Sequence, residues 1–184
     1  KWMCAPKGVS FLYAKDTLRD SIEPLVVSWW WRDKMLNEKS KYINNHQWQG
    51  TNDLSAYLTI PKVIKFLNQN KWNDISNKCH NLILYVKDQF KIDNSLCKPT
   101  SNNDKHLGQM LSFQLNENSK ISITVKEDPS KIVELQKTIY KQSNIHIPII
   151  YWNGAVFMRV SIQAYNTKND INKMFKMLEY FNLL

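Results

Sequence analysis

Three cysteines, Cys4, Cys79 and Cys97, are all that the 184 residues contain, and none forms a Cys-x-x-Cys pair. An odd set without such a pair argues against a disulfide framework and for a reducing, cytoplasmic setting. The four histidines (His46, His80, His106 and His146) are scattered without His-x-x-x-His spacing or clustered carboxylates, so no metal is expected. Apolar runs are short. The stretch Ile147 to Trp152 is far below the roughly 18–20 residues that cross a bilayer, and no signal-peptide pattern is visible, so no membrane partner is expected. Arginine is scarce as well: Arg19, Arg32 and Arg159 are the whole set. The net charge of +9 comes from dispersed lysines. Nucleic-acid affinity needs cations gathered on one face, so a solvated surface is the better reading. An initiator methionine is also lacking, which leads us to expect a preceding segment.

What is present describes a folded chain. Hydrophobic residues make up 43% and aromatic residues 12%, ordinary values for one domain or two small ones. Residues 9 to 14 read as a short buried strand rich in β-branched and aromatic side chains. The triplet Trp29-Trp30-Trp31 is too bulky for exposure and is read as core or subunit-interface packing. From Asp53 to Asn68, Leu54, Tyr57, Leu58, Ile60, Val63, Ile64 and Leu67 recur at helical spacing, with a bend expected at Pro61. A second helix is predicted from Trp72 to Phe90, then a polar loop from Asn94 to Lys105. Met110 to Leu115 reads as a strand, and Pro129 to Gln142 as a helix with proline in its first turn. Ile145 to Tyr151 and Ala155 to Ile162 form strands joined at Asn153-Gly154, a hairpin signal. Thr167 is positioned to cap a last amphipathic helix. Strand, helix, hairpin, helix after residue 105 suits a small α+β domain.

Three segments carry chemistry. In the first, Lys1-Trp2 precedes a Pro6-Lys7-Gly8 turn and the strand-like run. A lysine held by such a turn can condense with an aldehyde cofactor if burial frees its amine. By itself it reads as an ordinary surface lysine at a ragged terminus. The second, Trp48-Gln49-Gly50-Thr51-Asn52-Asp53-Leu54-Ser55-Ala56, places a glycine that lets the backbone approach a phosphate beside a threonine hydroxyl, ahead of a helix N-terminus. Thr51 or Asp53 as a simple helix cap is the alternative. The third is Met158-Arg159-Val160-Ser161, followed by Tyr165-Asn166 and Asp170-Ile171. It sets an arginine in an apolar strand, where it requires an anionic ligand or an internal carboxylate.

Together, in this order, these segments resemble the class V aminotransferase family of pyridoxal-phosphate enzymes, in its isopenicillin N epimerase-like branch, over essentially the whole chain. The resemblance implies an α/β, fold-type I architecture: residues 1–68 would end the large cofactor-binding domain and residues 69–184 would form the small C-terminal domain. It implies pyridoxal 5'-phosphate as cofactor and Lys1 as the catalytic Schiff-base lysine. Gly50 and Thr51 would lie at the cofactor phosphate, usually from the neighbouring subunit, and Arg159 would fork the substrate's α-carboxylate. It further implies an amino-acid substrate, a homodimer, and little activity for this piece alone. Asn52 departs from the pattern, since relatives commonly carry arginine there. A desulfurase would carry a reactive cysteine shortly before the arginine, and residues 146–158 contain none. Alternatives to an epimerase or aminotransferase are a pyridoxal-phosphate lyase or desulfurase and a noncatalytic scaffold that kept the fold.

Overall fold

The computed structural model describes residues 2–31, 40–48, 50–92, 97–101 and 103–183, so Lys1 lies outside the described residues. The chain divides into two compact units, residues 1–70 and 71–184.

The first unit is built from short helices: α1 (Asp16–Arg19), α2 (Lys41–His46), α3 (Ser55–Leu58) and α4 (Ile60–Gln69). The strand expected over residues 9 to 14 is not formed. Phe11 and Tyr13 are 84% and 75% exposed, and no strand among the described residues pairs with this segment. β-branched and aromatic composition records a fit to a half-buried sheet, and without a neighbouring strand there is no sheet to fit. The tryptophan triplet also divides. Its backbone turns, with Trp31 N–H bonded to Ser28 O at 3.1 Å, so three consecutive side chains cannot share one neighbour. Trp30 packs on Trp48 at 5.8 Å and Trp31 Nε1 donates to Glu23 at 3.0 Å, but Trp29 is 91% exposed. The bend expected at Pro61 is a full break two residues earlier. Thr59 closes α3, its hydroxyl donating to Ala56 O at 2.7 Å, and Pro61 sits in the first turn of α4, where its missing N–H costs nothing.

The second unit has its own core. Helix α5 (Trp72–Ile92) buries Cys79, Ile83, Val86 and Phe90, a stripe spaced four, three and four residues apart. Four antiparallel strands follow: β1 (Cys97–Pro99), β2 (Met110–Leu115), β3 (Ile149–Trp152) and β4 (Ala155–Ser161), in sheet order β1-β2-β4-β3. Strand β1 falls inside the predicted polar loop. It is short, pairs along one side only, and so tolerates Pro99. The β3–β4 turn uses Asn153 and Gly154 at φ +48° and +77°, the left-handed pair that a two-residue hairpin requires.

Strict alternation places Leu111, Phe113 and Leu115 with Val156, Met158 and Val160 on one sheet face. Helices α6 (Lys120–Glu127), α7 (Ile132–Ser143) and α8 (Lys168–Tyr180) join α5 over that face through Ile121, Val125, Ile139, Ile171, Met174 and Leu178. Helix α6 is not expected from the sequence pattern. Its Ile, Ser, Thr and Val residues are weak helix formers, and its start is secured by Ser119, whose hydroxyl accepts from Ser122 N at 3.2 Å. Proline 129 heads a single 3-10 turn, Pro129–Lys131, before α7. Lys87 on α5, 3% exposed, is neutralised by Asp104 in the turn Asp104–His106, tying that turn to the helix.

Candidate functional site

Gly50 and Thr51 line a cavity of about 480 Å³ in the first unit, together with Ser10, His46, Trp48 and Tyr57. Gly50 holds φ +103°, with no atom within 4 Å of where a Cβ would stand. Its constraint is therefore torsional: a side chain would have room but would strain the backbone. The helix end expected to face an anion is already occupied. Helix α3 has only four residues, and the Asp53 carboxylate accepts from Ser55 N at 2.8 Å. That bond and the Ser55 hydroxyl hold the Asp53 carboxyl below its usual range. Asn52 is also turned inward on the chain, its Oδ1 accepting from Asp53 N at 2.8 Å.

His46 enters the same cavity from the end of α2. Its Nδ1 is 2.8 Å from Tyr42 O, and the Tyr42 ring lies 4.5 Å from the imidazole. Its Nε2 is buried with no hydrogen-bond partner. No motif or spacing in the sequence distinguished His46 from the other three histidines; three-dimensional placement alone sets it beside Gly50 and Thr51.

Arg159 lies in the second unit on β4, opposite Ser112 of β2, with its own N–H bonded to Pro148 O at 3.2 Å. Its alternation partners Met158 and Val160 point into the core, so Arg159 belongs to the other sheet face. It lines a cavity of about 560 Å³ with Asn144, His146, Asn166, Asp170 and Lys173. Its Nε is buried without a hydrogen-bond partner, and among the described residues no carboxylate pairs with it. Asp170 lines the same cavity, but it completes the cap of α8. Its Oδ2 accepts from Thr167 N at 2.8 Å and from the Thr167 hydroxyl at 3.0 Å. Asn166 shapes the preceding turn, accepting from Gln163 N at 2.9 Å, while Tyr165 is 80% exposed. The internal salt bridge weighed for Arg159 is thus not present among the described residues.

The cavity at Gly50 and Thr51 and the cavity at Arg159 belong to different units. Each suits an anion: the first has hydroxyls and a bare glycine backbone, and the second the half-buried Arg159 guanidinium, whose Nε has no hydrogen-bond partner. The first therefore fits a phosphoryl group. Among the described residues no group of three or more His, Cys, Asp or Glu side chains could hold a metal ion. No helix there is long and apolar enough to cross a membrane. Burial pushes the Cys79 thiol up, which keeps it in the inert neutral form.

Comparison with known proteins gives one family match, described as aminotransferase class-V, over residues 1–174. Isopenicillin N epimerase of Amycolatopsis lactamdurans is 21% identical over 97% of this chain and 44% of its own length. A probable chloroplastic L-cysteine desulfhydrase of Arabidopsis thaliana is 23% identical over 95% of this chain and 36% of its length. The chain thus spans less than half of either relative. Among solved structures, Oryza sativa TDC with PLP and tryptamine superposes with a TM-score of 0.52 at 9% identity, covering 68% of this chain and 26% of that one. Mouse CSAD in apo form gives 0.53 at 14% identity, covering 76% and 29%. At such identities these two establish the fold, which is that of fold-type I pyridoxal-phosphate enzymes.

Proposed function

Because the chain belongs to the class V aminotransferase family, whose members depend on pyridoxal phosphate, we propose that the full-length protein acts at the Cα of an amino acid or amino-acid conjugate. In this reading Lys1 carries the cofactor, Gly50 and Thr51 hold its phosphate, and Arg159 holds the substrate's α-carboxylate. Residues 1–68 end the cofactor-binding domain, residues 69–184 form the small domain, and the working form is a homodimer.

The observation that carries the proposal is Arg159: a permanently charged group with a buried, unpartnered Nε, opening on a cavity of about 560 Å³. Arg159 is half-buried with no counter-ion among the described residues, and a carboxylate supplies both the charge and two acceptors for a parallel pair of N–H bonds. Bound pyridoxal phosphate supplies the electron sink that weakens a bond at Cα. Arg159 orients the substrate so that this bond stands in a fixed direction. Thr51 donates its hydroxyl to the phosphate, and the Gly50 backbone approaches it without a side chain in the way. The Lys1 amine, once exchanged for the substrate amine, takes the Cα proton and returns it.

Proton donation from a second group on the opposite face inverts the centre, as in an epimerase. The desulfhydrase relative supports a second reading, in which loss of the same proton is followed by departure of a sulfur group from Cβ. Product analysis separates them: an inverted amino acid supports the first, a keto acid points to transamination, and sulfide with pyruvate supports elimination. For either reaction, Arg159→Ala raises KM roughly 30- to 100-fold, the loss of a charge-assisted bidentate pair. An unchanged KM in a folded variant removes Arg159 from the substrate site.

A further inference from the structure

We propose that Trp30 is a positioning residue for the Gly50–Thr51 cavity: its ring holds Trp48 in place, and Trp48 in turn holds the backbone of Gly50 and Thr51 in the form that receives a phosphoryl group. The inference rests on the assignment of that cavity to the cofactor phosphate and adds to it the residue that keeps the cavity in shape.

Gly50 has to be held by its neighbours. A glycine samples both signs of φ, and at φ +103° no atom lies within 4 Å of where a Cβ would stand, so packing at that position does not fix its torsions. Restraint comes from either side instead. After Gly50 it is local: Asp53 N–H donates to Asn52 Oδ1 and Ser55 N–H to Asp53 Oδ1, each at 2.8 Å. Before it, the restraint comes from an earlier part of the chain. Trp48 lines the cavity and packs on Trp30, with ring centroids 5.8 Å apart and planes tilted by 34°, a separation at which aromatic rings attract beyond the area they bury.

Trp30 can serve as an anchor because its own turn is tied down. Its N–H donates to the Ser28 hydroxyl at 3.3 Å, Trp31 N–H donates to Ser28 O at 3.1 Å, and Trp31 Nε1 donates to Glu23 at 3.0 Å. Trp30 is half-buried, whereas Trp29 beside it is 91% exposed. Trp30 thus joins a fixed turn to the cavity wall. If Trp48 loses that support, Gly50 spends time in forms that cannot receive a phosphate, and the apparent Kd rises by the inverse of the competent fraction.

The test compares full-length apoprotein of wild type, Trp30→Leu, Trp30→Phe, Trp29→Ala and Thr51→Ala for affinity toward pyridoxal phosphate and toward pyridoxal. Leucine keeps apolar bulk at position 30 but offers no ring face; phenylalanine restores the ring. Trp30→Leu is expected to weaken pyridoxal phosphate binding roughly three- to tenfold, the loss of one aromatic pair. Trp30→Phe should recover most of that loss, and Trp29→Ala should bind as wild type does. Pyridoxal, which lacks the phosphate, is expected to bind wild type and both Trp30 variants alike. Three results overturn the proposal: Trp30→Leu binds pyridoxal phosphate as tightly as wild type, it loses pyridoxal to the same extent, or Trp30→Phe is no better than Trp30→Leu. An equal loss in Trp29→Ala also overturns it, because the effect then belongs to the turn and not to the ring pair. If Thr51→Ala weakens pyridoxal phosphate binding while Trp30→Leu does not, the phosphate assignment survives the failure of this proposal. If neither variant alters binding, both assignments fall together.

Discussion

The two units treat apolar side chains in opposite ways. In residues 71–184, side chains from four helices and one sheet face meet in a continuous core, with Phe90 and Phe113 at 4.5 Å and both almost wholly inaccessible. In residues 1–70, Ala14 and Val63 are the buried apolar residues among those described, while Leu25, Trp29 and Leu58 are 102%, 91% and 80% exposed. Apolar composition is a poor guide to stability; what counts is whether the local pattern supplies its own partner. Helices and hairpins do so within a few residues, and an isolated strand-like run does not.

The largest effect is expected at the aromatic pair. Phe113→Ala should cost the second unit about 3–5 kcal/mol, through lost burial and a cavity the sheet cannot close. Phe11→Ala should change stability by no more than about 0.5 kcal/mol. Denaturant midpoints measure both. Asp104→Ala comes next, because it strands the buried ammonium of Lys87. A loss of about 2–3 kcal/mol is expected, and Lys87→Met in the same background should recover much of it. Thr167→Ala removes one arm of the capping box at α8 and should cost about 1 kcal/mol, read as a lower thermal midpoint.

The smallest effect is electrostatic and appears in both units. Hydrogen bonds from Ser55 to Asp53 and from Ser130 to Asp128 hold those carboxyls below their usual range. A carboxylate with a depressed folded value stabilises above its unfolded value, near pH 4, and that contribution disappears as pH falls through the folded value. Asp53→Asn and Asp128→Asn should therefore each lower stability slightly near pH 7 and converge with wild type as pH falls, which flattens the acid limb of the stability curve. Acid titration followed by circular dichroism reads this directly.

The same contrast explains what the sequence made legible. Strand β2 and the Asn153-Gly154 hairpin follow from alternation and turn chemistry, and α5 from its stripe, because each signal is local. Helix α6 escaped because β-branched residues disguise it, and β1 because a three-residue edge strand leaves little pattern. Gly50, Thr51 and Arg159 stood out through motif spacing. The unpartnered state of Arg159 Nε and the position of His46 depend on what distant segments bring near them, which no spacing encodes.

A visible absorbance spectrum of the full-length protein with pyridoxal phosphate, wild type against Lys1→Ala, before and after addition of amino acids, tests the cofactor role of Lys1 most directly. A band that requires Lys1 and shifts on addition of the correct substrate is expected; a folded wild type that binds no pyridoxal phosphate and shows no band would contradict that role.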